Sequence, residues 1–331
     1  MIDLPVELLA LPALSLAAGV DLYLTLLFIG AAPTTGLWEL PLPGALGDLD
    51  SPGVLIMVGA FYVAEFTAER FPVAALVWNA FHAVIRPVSG ALLALLLLDG
   101  QALPVIVFGV LVAGGLASLA HAVRTGAWVL RGFTDTQHPA PLLISVAEDV
   151  TVLGIVSLAL DVPLWAFGVA SVLLVVLAPL APSRVRAFVY AIRLGVARIF
   201  RTLGLRRWRR ADELPEWVVA AFQDDDEILA HGEALRGCTA GAWRLPGAPR
   251  FAVGWVIVRA GRPLFLFRAR SWMGRRKGPR RVELGADVTA SVTDGDLYRR
   301  IDLREDGPGG LLVVGWGGPS TESLQAEFAG G

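Results

Sequence analysis

The stretch AEFTAERFPVAALVWNAFHAVIRP, residues 64–87, decides how this chain is read, because it sets Glu65, Glu69, Arg70, Asn79, His82 and Arg86 between strongly apolar runs. A charge at mid-bilayer costs about 2.5 to 3.5 kcal/mol on insertion scales, so several in one region must pair, face water or bind something. Their spacing says how they can meet. Glu65 and Glu69 are four residues apart, as are His82 and Arg86, so each pair occupies one face if its segment is helical. The expectation is an acidic face meeting a basic one across a polar site in the membrane, with Glu148 and Asp149 of LLISVAEDVTVLG contributing from a later span. Asp21 and Tyr23 lie in the first span, and His121 and Arg124 at the end of a helix over LASLAHAVRTG.

Composition agrees with a membrane location. The 331 residues are 55% hydrophobic and 18% charged, with a mean hydropathy of +0.62, too apolar for a typical soluble globule. Residues 1–180 hold four Arg, no Lys and thirteen acids, whereas 181–331 hold the other 24 basic residues and 17 acids. An acidic, apolar half is thus followed by a basic half. Spans of roughly 20 apolar residues are expected over 8–32, 53–68, 102–123 and 142–181, the last divided at Asp161 to Pro163. The run 88–100 completes a span only if helix continues back through Arg86. Pro87 predicts a kink or break there, making 71–87 a re-entrant or interfacial helix or half of a broken span. The start has no basic region before its apolar run and reads as a retained span rather than a cleaved signal. Trp38, Trp128 and Trp165 are expected as interface anchors, and Gly114 and Gly115 as points of close helix packing.

Nine arginines and no acid occur in residues 183–210, directly after the last span, which places that segment and the remainder of the chain in the cytoplasm. Its apolar residues fall near helical spacing, so a surface helix is expected, with Arg193, Arg198, Arg201, Arg206 and Arg207 reaching anionic headgroups. An acidic connector with a short helix extends to residue 225. Residues 226–331 change period: FAVGWVIVRAGRPLFLFRAR reads as a hairpin about Gly261, DVTASVTDGDLYRRIDLRE as a second about Asp294 and Gly295, GLLVVGW as a strand, and STESLQAEF as a helix capped by Ser320 or Thr321. Between the hairpins a basic loop carries Arg275, Arg276 and Lys277, a candidate contact for anionic lipid rather than nucleic acid. The fold class is therefore mainly α: a multi-span membrane domain over 1–182 with broken or re-entrant helices, a basic surface helix and connector over 183–225, and a small strand-rich domain over 226–331. Cys238 is the only cysteine, so no intrachain disulfide forms.

Two resemblances extend this reading. The order of strands and closing helix is similar to pleckstrin-homology-like domains of bacterial membrane proteins. The run Glu65, Glu69, Arg70, Pro72, Trp78, His82, Arg86, Pro87, Gly90, Ala91, with Ser145, Glu148 and Asp149 later, resembles the signature of the bacterial membrane family known as domain of unknown function 4126. That resemblance covers residues 10–180 and implies a multi-span fold in a bacterial inner membrane, with no established activity. Ala75 and Asn79 stand where the family tends to have acids, which weighs against a strong divalent-metal site. SLAAGVDLYL and SVAEDVTVLG echo each other at an offset of 130 residues, pairing Ser15, Ala17, Val20 and Pro33 with Ser145, Ala147, Val150 and Pro163, and leave an internal duplication open.

Three functions are weighed against these residues. A small transporter or channel would pass an ion or small solute along Asp21, Glu65, Glu69, Arg70, Asn79, His82, Arg86, His121, Glu148 and Asp149. A scaffold would use the same charges as salt bridges and bind lipid or a partner through its tail. An intramembrane enzyme is the weakest, since H-E-x-x-H, G-x-S-x-G and phosphate-loop patterns are missing. No cofactor is expected, and the bilayer, anionic headgroups and a second copy of the chain are the partners considered.

Overall fold

The computed structural model describes residues 5–36, 42–133, 141–199, 208–222, 235–259, 262–270, 276–284, 289–294, 298–304, 310–315 and 318–329. The chain divides into two units, Met1–Val185 and Arg186–Gly331.

The first unit is helical: α1 (Val6–Val20), α2 (Leu22–Thr34), α3 (Pro52–Ala68), α4 (Pro72–Leu97), α5 (Leu103–Phe133), α6 (Pro141–Asp161) and α7 (Pro163–Leu177), with α8 (Ala181–Ile199) beginning in it. Among the described residues three helices are long and apolar enough to cross a membrane, Ala74–Leu97, Leu103–Leu130 and Leu143–Asp161. A bent pair, Pro163–Leu177 with Ala181–Arg193, makes a fourth if counted as one span. α1 is the central element, its Leu11, Leu14 and Ala18 fully covered and α4, α5, α6 and α7 packed around it.

Two expectations change here. The single span over 8–32 is two short helices, because Asp21 leaves helical geometry (φ −138°, ψ 100°) and its Oδ1 accepts the Leu24 N–H at 2.9 Å, starting α2. A short polar side chain that caps one helix ends the other. Pro87 breaks nothing: α4 runs unbroken for 26 residues. A proline in a packed membrane helix is tolerated when neighbouring helices hold it, and α5 does so through small residues. A Cβ on Gly19 would fall 2.5 Å from the Ala117 carbonyl oxygen, and one on Gly90 2.7 Å from the Ala117 Cβ, so α1, α4 and α5 converge on one point that admits no side chain. Gly114 likewise approaches the Pro87 carbonyl, whereas Gly115 faces open space. At the offset of the sequence echo, Asp21 pairs with Thr151, inside the continuous α6.

The outer surface of these helices is apolar. Ile56, Val63, Leu103, Leu111, Trp165 and Val175 are each more than 60% exposed. Of the other expected anchors, Trp128 is half-buried and Trp38 lies outside the described residues.

The second unit is a single antiparallel sheet. β2 (Arg236–Ala242), β3 (Ala252–Arg259), β4 (Arg262–Arg270) and β5 (Arg276–Glu283) form one meander, and β6 (Thr289–Asp294), β7 (Tyr298–Arg304) and β8 (Gly310–Gly315) a second. They join by the pairing of β8 with β2, in the order β5-β4-β3-β2-β8-β7-β6, while β1 (Arg209–Arg210) pairs with β2. The pleat sorts side chains by face. Val256 and Phe265, opposite each other, turn toward a core closed by Leu324 and Phe328 of α10 (Thr321–Ala329), while Trp255 and Leu266 turn to the other face. Ser320 Oγ accepts the Ser323 N–H at 3.2 Å, the expected cap of α10.

Where a connector was expected, Leu214, Val218 and Phe222 cover that second face, Val218 lying in α9 (Glu216–Ala220). Arg268 stacks on Trp217 at 4.6 Å and Arg281 on Phe222 at 4.5 Å. The basic loop after the first hairpin is, from Arg276, strand β5. Sequence pattern hid it because β5 is a charged edge strand, and Pro279 is tolerated there for the same reason. In α8, Tyr190 is buried on this unit, its hydroxyl donating to the Val313 carbonyl at 3.0 Å and its ring edge-on to Phe251. Of the arginines assigned to a lipid surface, Arg193 is exposed. Arg201, Arg206, Arg207 and Arg275 lie outside the described residues, as do the side chains of Arg198, Arg276 and Lys277.

Candidate functional site

α4 is patterned inside out. Asn79, His82 and Arg86, at helical spacing, are 4% exposed or less, while Phe81, Val84 and Val88 on the same helix exceed 50%. A helix in water shows the opposite arrangement. The opening stretch therefore carries its charges because they face protein, with the apolar flank turned outward.

Arg86 is fully buried and bonded on three sides: Nη1 donates to the carbonyls of Gly19, at 2.6 Å, and Val20, and Nη2 to Glu65 Oε1. The break at Asp21 frees the last carbonyls of α1, and a guanidinium placed against them satisfies both the orphan acceptors and the negative end of the helix dipole. The small-residue junction at Gly19, Gly90 and Ala117 brings α4 close enough to α1 for that reach. Glu65 is also the link to a second arginine. Arg124, in mid-α5 rather than at a helix end, lies 3.6 Å from Glu65 Oε1, 2.7 Å from Glu69 Oε1 and 2.9 Å from Glu148 Oε2. Three carboxylates from α3, its C-terminal edge and α6 thus share two guanidinium groups. Glu65 Oε2, Arg86 Nε and Trp78 Nε1 are buried without a hydrogen-bond partner among the described residues.

The other expected site residues sort into separate positions. His82 does not meet Glu65 or Glu69; Nδ1 lies 2.8 Å from the Trp78 carbonyl and Nε2 2.9 Å from the Tyr23 hydroxyl. A carbonyl only accepts, so Nδ1 carries a proton, and when the ring is neutral Nε2 accepts from the Tyr23 hydroxyl. The ring stacks on Trp78 at 4.8 Å. His121 Nε2 donates to the Asn79 carbonyl at 3.0 Å, and the Asn79 side chain receives the Thr125 hydroxyl at 3.0 Å and donates to the Ala75 carbonyl. These contacts tie α4 to α5. Asp149 accepts the Tyr62 hydroxyl at 2.9 Å, joining α6 to α3. Asp21 is the α2 cap, and Arg70 is exposed, its guanidinium over the Phe66 ring at 4.3 Å, away from the ion pairs.

Sequence reasoning undervalued Arg124 and missed Tyr62 and Thr125. The scarcity of arginine, four in the first 180 residues, was a usable signal for Arg124. Nothing in the pattern marked the two hydroxyls. A cavity of about 610 Å³ adjoins Arg124 and Glu148, bounded mostly by apolar side chains of α1, α5, α6 and α7. Among the described residues no group of three or more His, Cys, Asp or Glu is placed to hold a metal ion.

Neither the curated proteins nor the solved structures contain a match to the chain. One family model does match, over residues 8–183, nearly the whole of the helical unit with its ion-pair cluster. The chain belongs to the family described as domain of unknown function (DUF4126).

Proposed function

We propose that the helical unit is a small transporter or channel of a bacterial inner membrane, passing an ion or small solute by way of Glu65, Glu69, Arg86, Arg124 and Glu148. The observation that carries this reading is Glu65, whose Oε2 is buried and has no hydrogen-bond partner among the described residues, while its Oε1 is shared by Arg86 and Arg124. A cluster serving only to lock helices would use its buried oxygens. Charged groups inside a membrane bundle mark ion and proton routes by default. The basic residues 183–210 and the unit after them are cytoplasmic on this reading, by the positive-inside bias. Two meanders joined edge to edge and closed by α10 support a pleckstrin-homology-like domain directed to anionic lipid headgroups.

A second reading, a scaffold whose intramembrane charges are structural, is favoured by one contact. Arg86 caps the broken end of α1, a purely architectural task. Ion flux in liposomes separates the two. The full chain should pass protons or a monovalent cation, and Glu65→Gln, which keeps shape and hydrogen bonding, should insert normally and abolish that flux. Equal flux from parent and variant, or none from either, would reject transport.

A further inference from the structure

We propose that the cavity beside Arg124 and Glu148 holds one acyl chain of a membrane phospholipid, which enters among α5, α6 and α7 and reaches α1. The volume, about 610 Å³, falls inside the range of about 300 to 1,000 Å³ usual for small-molecule sites. Its walls are Leu16 and Val20 of α1, Val123 of α5, Ile144 and Ile155 of α6 and Leu173 of α7, among others. The lining follows α6 from Leu143 to Ile155, about 18 Å along a helix axis. That is close to the depth of one leaflet, half of a hydrocarbon core about 30 Å thick. A chain of methylenes fills such a length, whereas a compact solute does not.

Each polar side chain of this lining is already engaged inside the protein. Arg124 is paired with Glu65, Glu69 and Glu148, which accounts for both charged residues of the wall. The Thr151 hydroxyl donates to the Ala147 carbonyl at 2.7 Å. Water is disfavoured on the same ground, since a buried water needs about two to four polar partners and an apolar cavity stays dry. A void would forfeit dispersion contacts along every wall, so the surrounding medium enters. The rim decides which medium that is. Val146 and Val150 of α6 and Val172 and Val176 of α7 flank the lining and are 48% to 64% exposed, so a bilayer around this unit presents acyl chains at the opening. A chain seated there also serves the ion pairs. Arg124 and Glu148 are 13% and 27% exposed, and hydrocarbon against them keeps water out and the local dielectric low, which strengthens their attraction.

The test maps where lipid chains reach. The full chain is placed in nanodiscs of phosphatidylcholine carrying a diazirine near the end of one acyl chain, irradiated, and its adducts are located by mass spectrometry. Adducts are expected at Leu16 and Val20, on the central helix, as well as at Leu111, which is 71% exposed. Ala147→Phe, which narrows the cavity without touching an ion pair, should remove the α1 adducts and leave those at Leu111. A second measurement does not need that variant to fold: in a Cys238→Ala background, Ala147→Cys should react slowly with a charged methanethiosulfonate in nanodiscs and readily after unfolding. Adducts at Leu111 with none at Leu16 or Val20, or α1 adducts that survive Ala147→Phe, would overturn the proposal. Fast modification of the cysteine in folded protein would do the same, because it marks an aqueous vestibule. So would α1 labelling by a diazirine fatty alcohol that the phosphatidylcholine probe fails to reproduce, which marks a single-chain ligand.

Discussion

The two units invert each other. In the helical unit, Asp21, Glu65, His82, Arg86 and His121 are buried and large apolar side chains cover the outside. In the β unit, Arg299 is the buried charge among the described residues, the core is Val256, Phe265, Phe267 and their neighbours, and every strongly exposed large apolar residue of the described chain lies at or before Val189. The same amino-acid alphabet is sorted in opposite directions, which is the arrangement that lipid around one unit and water around the other would impose. Water rewards apolar interiors; lipid gives helices no such reason to associate, so polar contacts and close packing hold them together.

The comparison can be broken at its charges first. Arg86→Ala should cost the helical unit about 3 to 5 kcal/mol, because it strands a buried carboxylate and uncaps α1. Arg299→Ala should cost the β unit less, about 1.5 to 3 kcal/mol, since its partner Asp294 is half exposed and can turn to water. Denaturant unfolding of each variant checks the order, and equal losses would erase the distinction. Packing comes next. Gly19→Val should destabilise the helical unit by about 1 to 3 kcal/mol through overpacking at Ala117, while Gly115→Val, facing open space, should change the unfolding midpoint little. The smallest effect at neutral pH concerns Cys238, whose thiol burial pushes up from 9.0 to about 12. The folded unit keeps a proton that the unfolded chain releases, so this contribution is complete below pH 9.0 and is lost as pH rises toward about 12. Cys238→Ala should flatten that decline relative to the parent; parallel curves would contradict the burial.

Legibility in the sequence splits along the same division. The change from apolar runs to alternating strands near residue 250 marked two regions, and the i, i+4 spacing put Glu65 and Arg86 within reach of each other. The pattern of aromatic and branched residues also revealed β3 and β4, which are buried on both faces, and β8, while β7 alternates. It was silent on β5, where arginines sit on an edge, and on the strap through Leu214, Val218 and Phe222, whose three apolar residues are too few for a periodic signal. An isolated β domain therefore starts no later than Trp208, rather than at 226. In the helical unit, Pro87 misled because propensity scales describe helices in water, and Asp21 was read as a site residue because a cap and a ligand look alike in sequence. His82 shows the remaining gap: helical spacing aligned it with Arg86, but the break after α1 brought Tyr23, not a carboxylate, to its ring.

The central claim is that the helical unit turns its apolar surface to lipid around a charged interior, and Leu111 tests it most directly. This side chain is 71% exposed within α5. In a Cys238→Ala background, Leu111→Cys carrying a nitroxide should relax strongly with oxygen dissolved in the bilayer and weakly with a water-soluble nickel chelate. Strong collision with the chelate in reconstituted, folded protein would mean that this face meets water, and the inside-out account would be wrong.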